Sequence, residues 1–227
     1  MKTVVIIGGS KGVGEAILRS QLNTHKVINI SRSKPSIIHE NLLHYNCDIL
    51  VDELPDLNEV DSLIYCPGSI NLKPFSRFKI EDFQSDFEIN FLGAVKAIQK
   101  YLPKLKEANN ASILLFSTVA TKLGMPFHTS IASAKSAVEG LVKSLGAELA
   151  PKIRINAIAP TITNTTLAEK LLRNDAMKEA IAERHPLKKY LIPQEVADMA
   201  DFLISEKSGS MSGQIISLDC GIVTFKI

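Results

Sequence analysis

Residues 3–14 read TVVIIGGSKGVG. Thr3 to Ile7 are all β-branched, and Val4 to Ile7 are wholly apolar. That composition predicts a short strand buried on both faces. The apolar run stops at Gly8-Gly9, which reads as a strand end rather than as a secretory leader. Gly8, Gly12 and Gly14 then lead into helical spacing over Val13–Asn23. Bare backbone at such a turn lets a pyrophosphate approach without meeting a Cβ, and lets the helix pack close on the strand. The helix start then offers free N–H groups to the anion. Glycines alone would be weak evidence. A strand before them and a helix after them predict a dinucleotide site.

The same alternation continues outward. Strand-like runs cover Thr3–Ile7, Lys26–Ile30, Leu42–Cys47, Ser62–Tyr65, Ala111–Phe116, Arg154–Ala157 and Gln214–Leu218. Helical spacing of apolar residues covers Ile80–Leu102, Ser130–Leu149, Leu167–Arg184 and Pro193–Ser205. Pro193 with Glu195 marks a helix start. This order predicts an α/β fold, a Rossmann-type doubly wound parallel sheet in three α/β/α layers. All 227 residues form one domain in this reading. The step from Asp48 to Ser62 is too short for a comfortable crossover helix. An extended chain at ~3.3 Å per residue still passes two or three strands spaced ~4.8 Å apart.

Composition narrows the function. Charged residues make up 22% of the chain, the net charge is +2, and no basic block marks a nucleic-acid partner. No apolar run reaches the ~20 residues of a membrane helix. Cys47, Cys66 and Cys220 lie far apart, without metal-ligand spacing, which predicts no metal and a reducing cytoplasm.

Gly8, Gly12 and Gly14 form G-x-x-x-G-x-G, not the general G-x-G-x-x-G. That spacing resembles the short-chain dehydrogenase/reductase family. The resemblance runs through Asn46-Cys47-Asp48, Cys66-Pro67-Gly68, Asn90-Phe91-Leu92-Gly93, Asn156 to Pro160 and Asp219-Cys220-Gly221. It implies a nucleotide held by Gly8, Ser10, Lys11, Gly12, Val13 and Gly14. It also implies contacts from Ser31, Arg32, Cys47, Asp48, Pro67, Gly68, Lys135, Pro160, Ile162 and Thr165. Asp48 would meet the adenine amino group, and Ile162 and Thr165 the nicotinamide carboxamide. The family usually has threonine before the first glycine, where Ile7 stands, at the loss of one hydrogen bond. The second strand ends Asn29-Ile30-Ser31-Arg32 without an acid to hold a free ribose. Arg32 offers a forked donor to a 2′-phosphate, and Lys11 reaches the same place, so the implied cofactor is NADP(H).

At the reacting end the chain departs from the family. The family pattern is Tyr-x-x-x-Lys, with a serine about thirteen residues before the tyrosine. Lys135 fits the lysine, Thr118 keeps the hydroxyl, and Asn90 fits the asparagine of the proton relay. The tyrosine position is Ile131. General acid catalysis is typically worth 10²–10⁴-fold, so a substitute matters. His128, seven residues before Lys135, is one candidate, at an offset that enoyl-acyl-carrier-protein reductases use. Ser130, Ser133, Tyr101 and Tyr190 are others, as is Lys135 itself through a water held with Asn90.

Thr161 to Ile192 would cover a small-molecule substrate. Arg184 and His185 in it read as solvent-exposed. Small residues at 132, 134, 136, 137 and 140 suit close helix pairing, as in the family's dimers and tetramers, so a homodimer or homotetramer is expected. The leading reading is an NADP(H)-dependent oxidoreductase with a non-standard proton donor, acting on a carbonyl, alcohol or enoyl compound. A catalytically silent dinucleotide-binding sensor and a non-redox enzyme on the same fold are the alternatives.

Overall fold

The computed structural model describes residues 1–225. Seven strands form one sheet: β1 (Thr3–Ile7), β2 (Lys26–Ser31), β3 (Leu42–Asn46), β4 (Ser62–Tyr65), β5 (Ala111–Phe116), β6 (Ile153–Pro160) and β7 (Ile215–Leu218). Their order is β3-β2-β1-β4-β5-β6-β7, and every pairing is parallel. The helices are α1 (Gly12–Gln21), α2 (Ile80–Phe87), α3 (Gly93–Glu107), α4 (Thr129–Leu149), α5 (Asp175–Arg184) and α6 (Pro193–Ile204). This is the expected three-layer fold.

Side chains alternate across each strand, so β1 feeds two cores. Val4 and Ile6 pack with Ile17 and Leu18 of α1 and Val196 and Ala200 of α6. Val5 and Ile7 pack on the other face with Ile98 and Tyr101 of α3 and Val138 and Val142 of α4. All four β1 side chains are buried, which is why the run has no polar member after Thr3. The chain leaves β3 and passes β2 and β1 without a helix to reach β4. The strand order therefore reverses between β1 and β4, and a crevice opens beyond their carboxyl ends.

Two expected helices differ. The run from Ile80 contains a π turn at Glu88–Leu92, where the Gly93 N–H bonds back to the Glu88 carbonyl. The extra residue frees the Ile89 carbonyl, which accepts from the Tyr65 hydroxyl at 2.7 Å. Asn90 Nδ2 donates to the Asp86 carbonyl at 2.8 Å. The turn thus buries Asn90 and aims it at the crevice, a common use of such insertions. The expected helix Leu167–Arg184 is broken. A 3₁₀ turn spans Thr166–Ala168, and α5 begins only after Asn174, whose side chain caps the Met177 N–H at 2.9 Å.

Gly93 shows how tightly the π turn is seated. A Cβ there would lie 2.2 Å from the Tyr65 hydroxyl oxygen. Gly93→Ala should destabilise the fold by about 1–3 kcal/mol through overpacking. Adding Tyr65→Phe should recover part of that loss in urea unfolding. Strictly additive losses would mean that this contact does not set the turn.

Candidate functional site

The glycine loop is built by close approach. Gly8 and Gly12 have φ of +81° and +57°, which side chains resist. A Cβ at Gly14 would sit 2.2 Å from the Gly8 carbonyl oxygen. Only glycine lets α1 start there. Lys11 stands at the N-cap without a side-chain cap bond, so the first N–H groups of α1 stay available to an anion. Ile7 does lack the threonine hydroxyl, but Asn29 of β2 supplies a bond instead. Its Oδ1 accepts from the Gly9 N–H at 2.9 Å, while its Nδ2 donates to Ser31 Oγ and His44 Nδ1. Asn29 is fully buried, and its role was hidden by its place in an apolar strand.

Around this loop lies a cleft of about 650 Å³. It brings together every residue the sequence proposed for nucleotide contact. Gly8 to Gly14 without Gly9, Ser31 and Arg32, and Cys47 and Asp48 form one end. Arg32 and Lys11 are exposed at its rim, and Arg32 reaches Asp48 at 3.9 Å. Pro67 and Gly68 line the middle, and Pro160, Ile162 and Thr165 the far wall. Thr165 rests over the loop, since a Cβ on Gly12 would meet its methyl at 3.3 Å. These shapes fit a dinucleotide: a Cβ-free cradle, an uncapped helix start and two cations.

The other end gathers Asn90, Thr118, His128, Ile131 and Lys135 beside the apolar Leu72, Met125, Leu167 and Leu171. Thr118 Oγ1 accepts weakly from the Ala120 N–H at 3.3 Å, which leaves its proton free. Its neighbour Ser117 instead turns away to Glu139 at 2.5 Å. Lys135 is 8% exposed and donates to the Phe116 carbonyl at 2.8 Å. Burial pulls its ammonium down from 10.5 to about 8, against support from Cys66 and Asp86. Burial also pushes the Cys66 thiol up to about 12. His128 holds Nδ1 against the Pro126 carbonyl at 2.7 Å, leaving Nε2 open. Ile131 is buried, 5% exposed, one helical turn before Lys135.

Residues 46–223 match a family model described as enoyl-(acyl carrier protein) reductase. The chain belongs to the short-chain dehydrogenase/reductase family. Among its relatives is a 3-oxoacyl-[acyl-carrier-protein] reductase of Rickettsia felis, 28% identical over 235 residues, covering 98% of this chain and 97% of that one. The solved structure of ElxO with NADP bound superposes with a TM-score of 0.89 at 27% identity, covering 99% of both chains. A tyrosine-to-phenylalanine variant of ElxO with NADPH bound gives 0.88 at 26%, again over 99% of both.

Several rescuers considered for this dehydrogenase/reductase site are elsewhere. Tyr101 is buried and gives its hydroxyl to the Pro55 carbonyl at 3.0 Å. Tyr190 and Ser133 do not line the cleft, and Ser133 bonds to the Thr129 carbonyl. Ser130 faces Asp86 at 2.6 Å, away from the cleft. His185, expected in solvent, is 3% exposed. Its Nδ1 meets the Ile181 carbonyl and its Nε2 the Thr161 hydroxyl, pinning α5 to the end of β6. Ser69, which no motif flagged, also lines the cleft and gives its hydroxyl to Asp86 behind it.

The buried Lys135 carries a stability cost. Its folded value of about 8 lies below the ordinary 10.5, so the unfolded chain binds more protons between those pH values. Stability should therefore rise as pH climbs through that window, by about 3 kcal/mol in all. Lys135→Met should be more stable than the parent at neutral pH, less ~1 kcal/mol for the lost hydrogen bond. The gap should close by pH 10 in urea titrations; a gap constant with pH would contradict a penalty from burying the charge.

Proposed function

We propose that this chain is an NADP(H)-dependent oxidoreductase for an apolar carbonyl or enoyl compound, with Lys135 as proton source in place of a phenol. One observation carries the reading. Thr118, Asn90 and Lys135 meet at the apolar end of a cleft whose other end is a glycine cradle flanked by Lys11 and Arg32. NADP(H), when bound, supplies or takes the hydride. The free proton of Thr118 holds the substrate oxygen. Lys135 spends one N–H on Phe116 and keeps two for the cleft, where it binds the nicotinamide ribose and protonates the developing alkoxide or enolate. A value of about 8 makes it mostly charged at neutral pH yet a competent acid. The ElxO variant supports the view that capture of NADPH on this fold survives loss of a tyrosine hydroxyl.

His128 is the second candidate donor, because it lines the same end with Nε2 unengaged. The silent reading draws on Ile131, whose buried side chain offers no proton. Homodimer or homotetramer assembly is supported by the exposed apolar Phe87 and Leu92 beside the π turn. A cytoplasmic setting is supported by three unpaired thiols.

NADPH should bind in a fluorescence titration, and its absence would refute the oxidoreductase and the silent readings together. With ketones, quinones or enoyl thioesters, NADPH consumption should fall as pH rises through about 8. His128→Ala should retain that turnover; its loss there would move the donor to His128. Turnover with no member of the panel would favour the silent reading.

The 2′-phosphate assignment has its own test. Arg32→Ala and Lys11→Ala should each weaken NADPH binding by about 10–100-fold, the worth of a charged hydrogen bond. NADH affinity should change little. Equal losses for both nucleotides would place these cations elsewhere.

A further inference from the structure

Asp86 lies on α2, one helical turn before Asn90, and is 2% exposed. Burying a carboxylate is unfavourable unless its charge is answered. Its oxygens accept from Ser69 Oγ at 2.5 Å and Ser130 Oγ at 2.6 Å. Among the described residues it makes no ion pair. Two hydroxyls each give one oxygen a hydrogen bond but do not neutralise it.

The cluster reaches the cleft through Ser69. Ser69 lines the cleft and also accepts from Asn90 Nδ2 at 2.9 Å. Ser130 immediately precedes Ile131 on α4. Asn90 Oδ1 is buried without a partner. A Cβ placed on Gly68 would lie 3.1 Å from that oxygen and 3.8 Å from Lys135 Nζ, so both atoms border one small space. Asp86 therefore stands behind the wall against which Lys135 works.

We propose that Asp86 is a positioning residue: its carboxylate, sealed behind Ser69 and Ser130, is the fixed negative charge that keeps Lys135 an ammonium where no phenol stands beside it. The inference deepens the reading above and rests on Lys135 being the working cation. Of the two groups that support Lys135, Cys66 at the end of β4 is a neutral thiol at neutral pH, since burial holds it up at about 12. Asp86 is then the charge that remains. Other ionisable groups on the packed elements are engaged, or lie out in solvent as Glu81, Glu88, Lys143 and Glu148 do. Glu139, one turn along α4, accepts from Ser117 and Thr121. Asp82, one turn back on α2, is tied to Lys73. Tyr65 is buried, with its phenol raised and given to Ile89. His128 bonds to Pro126 before α4.

The test follows Lys135 directly in the full chain without nucleotide. Lysine labelled with ¹³C at Cε gives one resonance that Lys135→Met removes. Its midpoint should lie near 8 in the parent. In Asp86→Asn it should fall measurably, the direction that loss of an opposite charge gives. Asp86→Ser, which keeps a hydroxyl between the two serines, should give the same fall and serves if the asparagine variant does not fold. An unmoved midpoint in a folded variant overturns the proposal, and a purely structural Asp86 predicts that result. Because no nucleotide is present, failure of NADPH to bind would sink the functional reading and leave this measurement intact.

Discussion

The approach of α1 onto β1 sets everything that follows. At Gly14 the helix and the Gly8 carbonyl are so close that no side-chain carbon fits between them. That contact directs the start of α1 at the crevice where the strand order reverses. It also fixes where backbone N–H groups, Lys11 and Arg32 meet. Asn29 braces the same turn from β2, accepting from the Gly9 N–H. The glycine-loop end of the cleft is thus held mostly by main chain.

The reacting end is built on the opposite logic. It depends on side chains brought from the end of β4, the π turn, the end of β5 and the start of α4. Lys135 is held there at a cost in stability, as working groups often are. Ile131 is buried and keeps the wall apolar. What remains is a lysine shifted toward neutrality, with Thr118 across from it and a buried carboxylate behind.

Local pattern made much of this legible. β1, β4 and β5 were readable to the residue, because strands buried on both faces leave a short, mostly apolar run. That the glycine loop, Arg32 and Thr118 share one cleft was readable because each is defined by its distance along the chain from a neighbour. The π turn was not, since the extra residue is stabilised by Tyr65, far away in sequence. The break before α5 was missed because Asn174 looked like one more polar residue on a helix rather than its cap. Asp86 carries no signal of its own in the helical run from Ile80; only the fold lays Ser69 and Ser130 over it. His185 looked like a surface group for the same reason.

All seven strands point the same way, so the cleft gathers along one rim of the sheet. The other rim holds the links that enter the strands, among them those into β2, β5 and β6, where Thr24, Asn110 and Lys152 are exposed. Those three links carry none of the site's side chains. A dye, an affinity handle or a surface tether attached there leaves the working mouth of the molecule facing open solution, which makes that rim the place to immobilise or report on it.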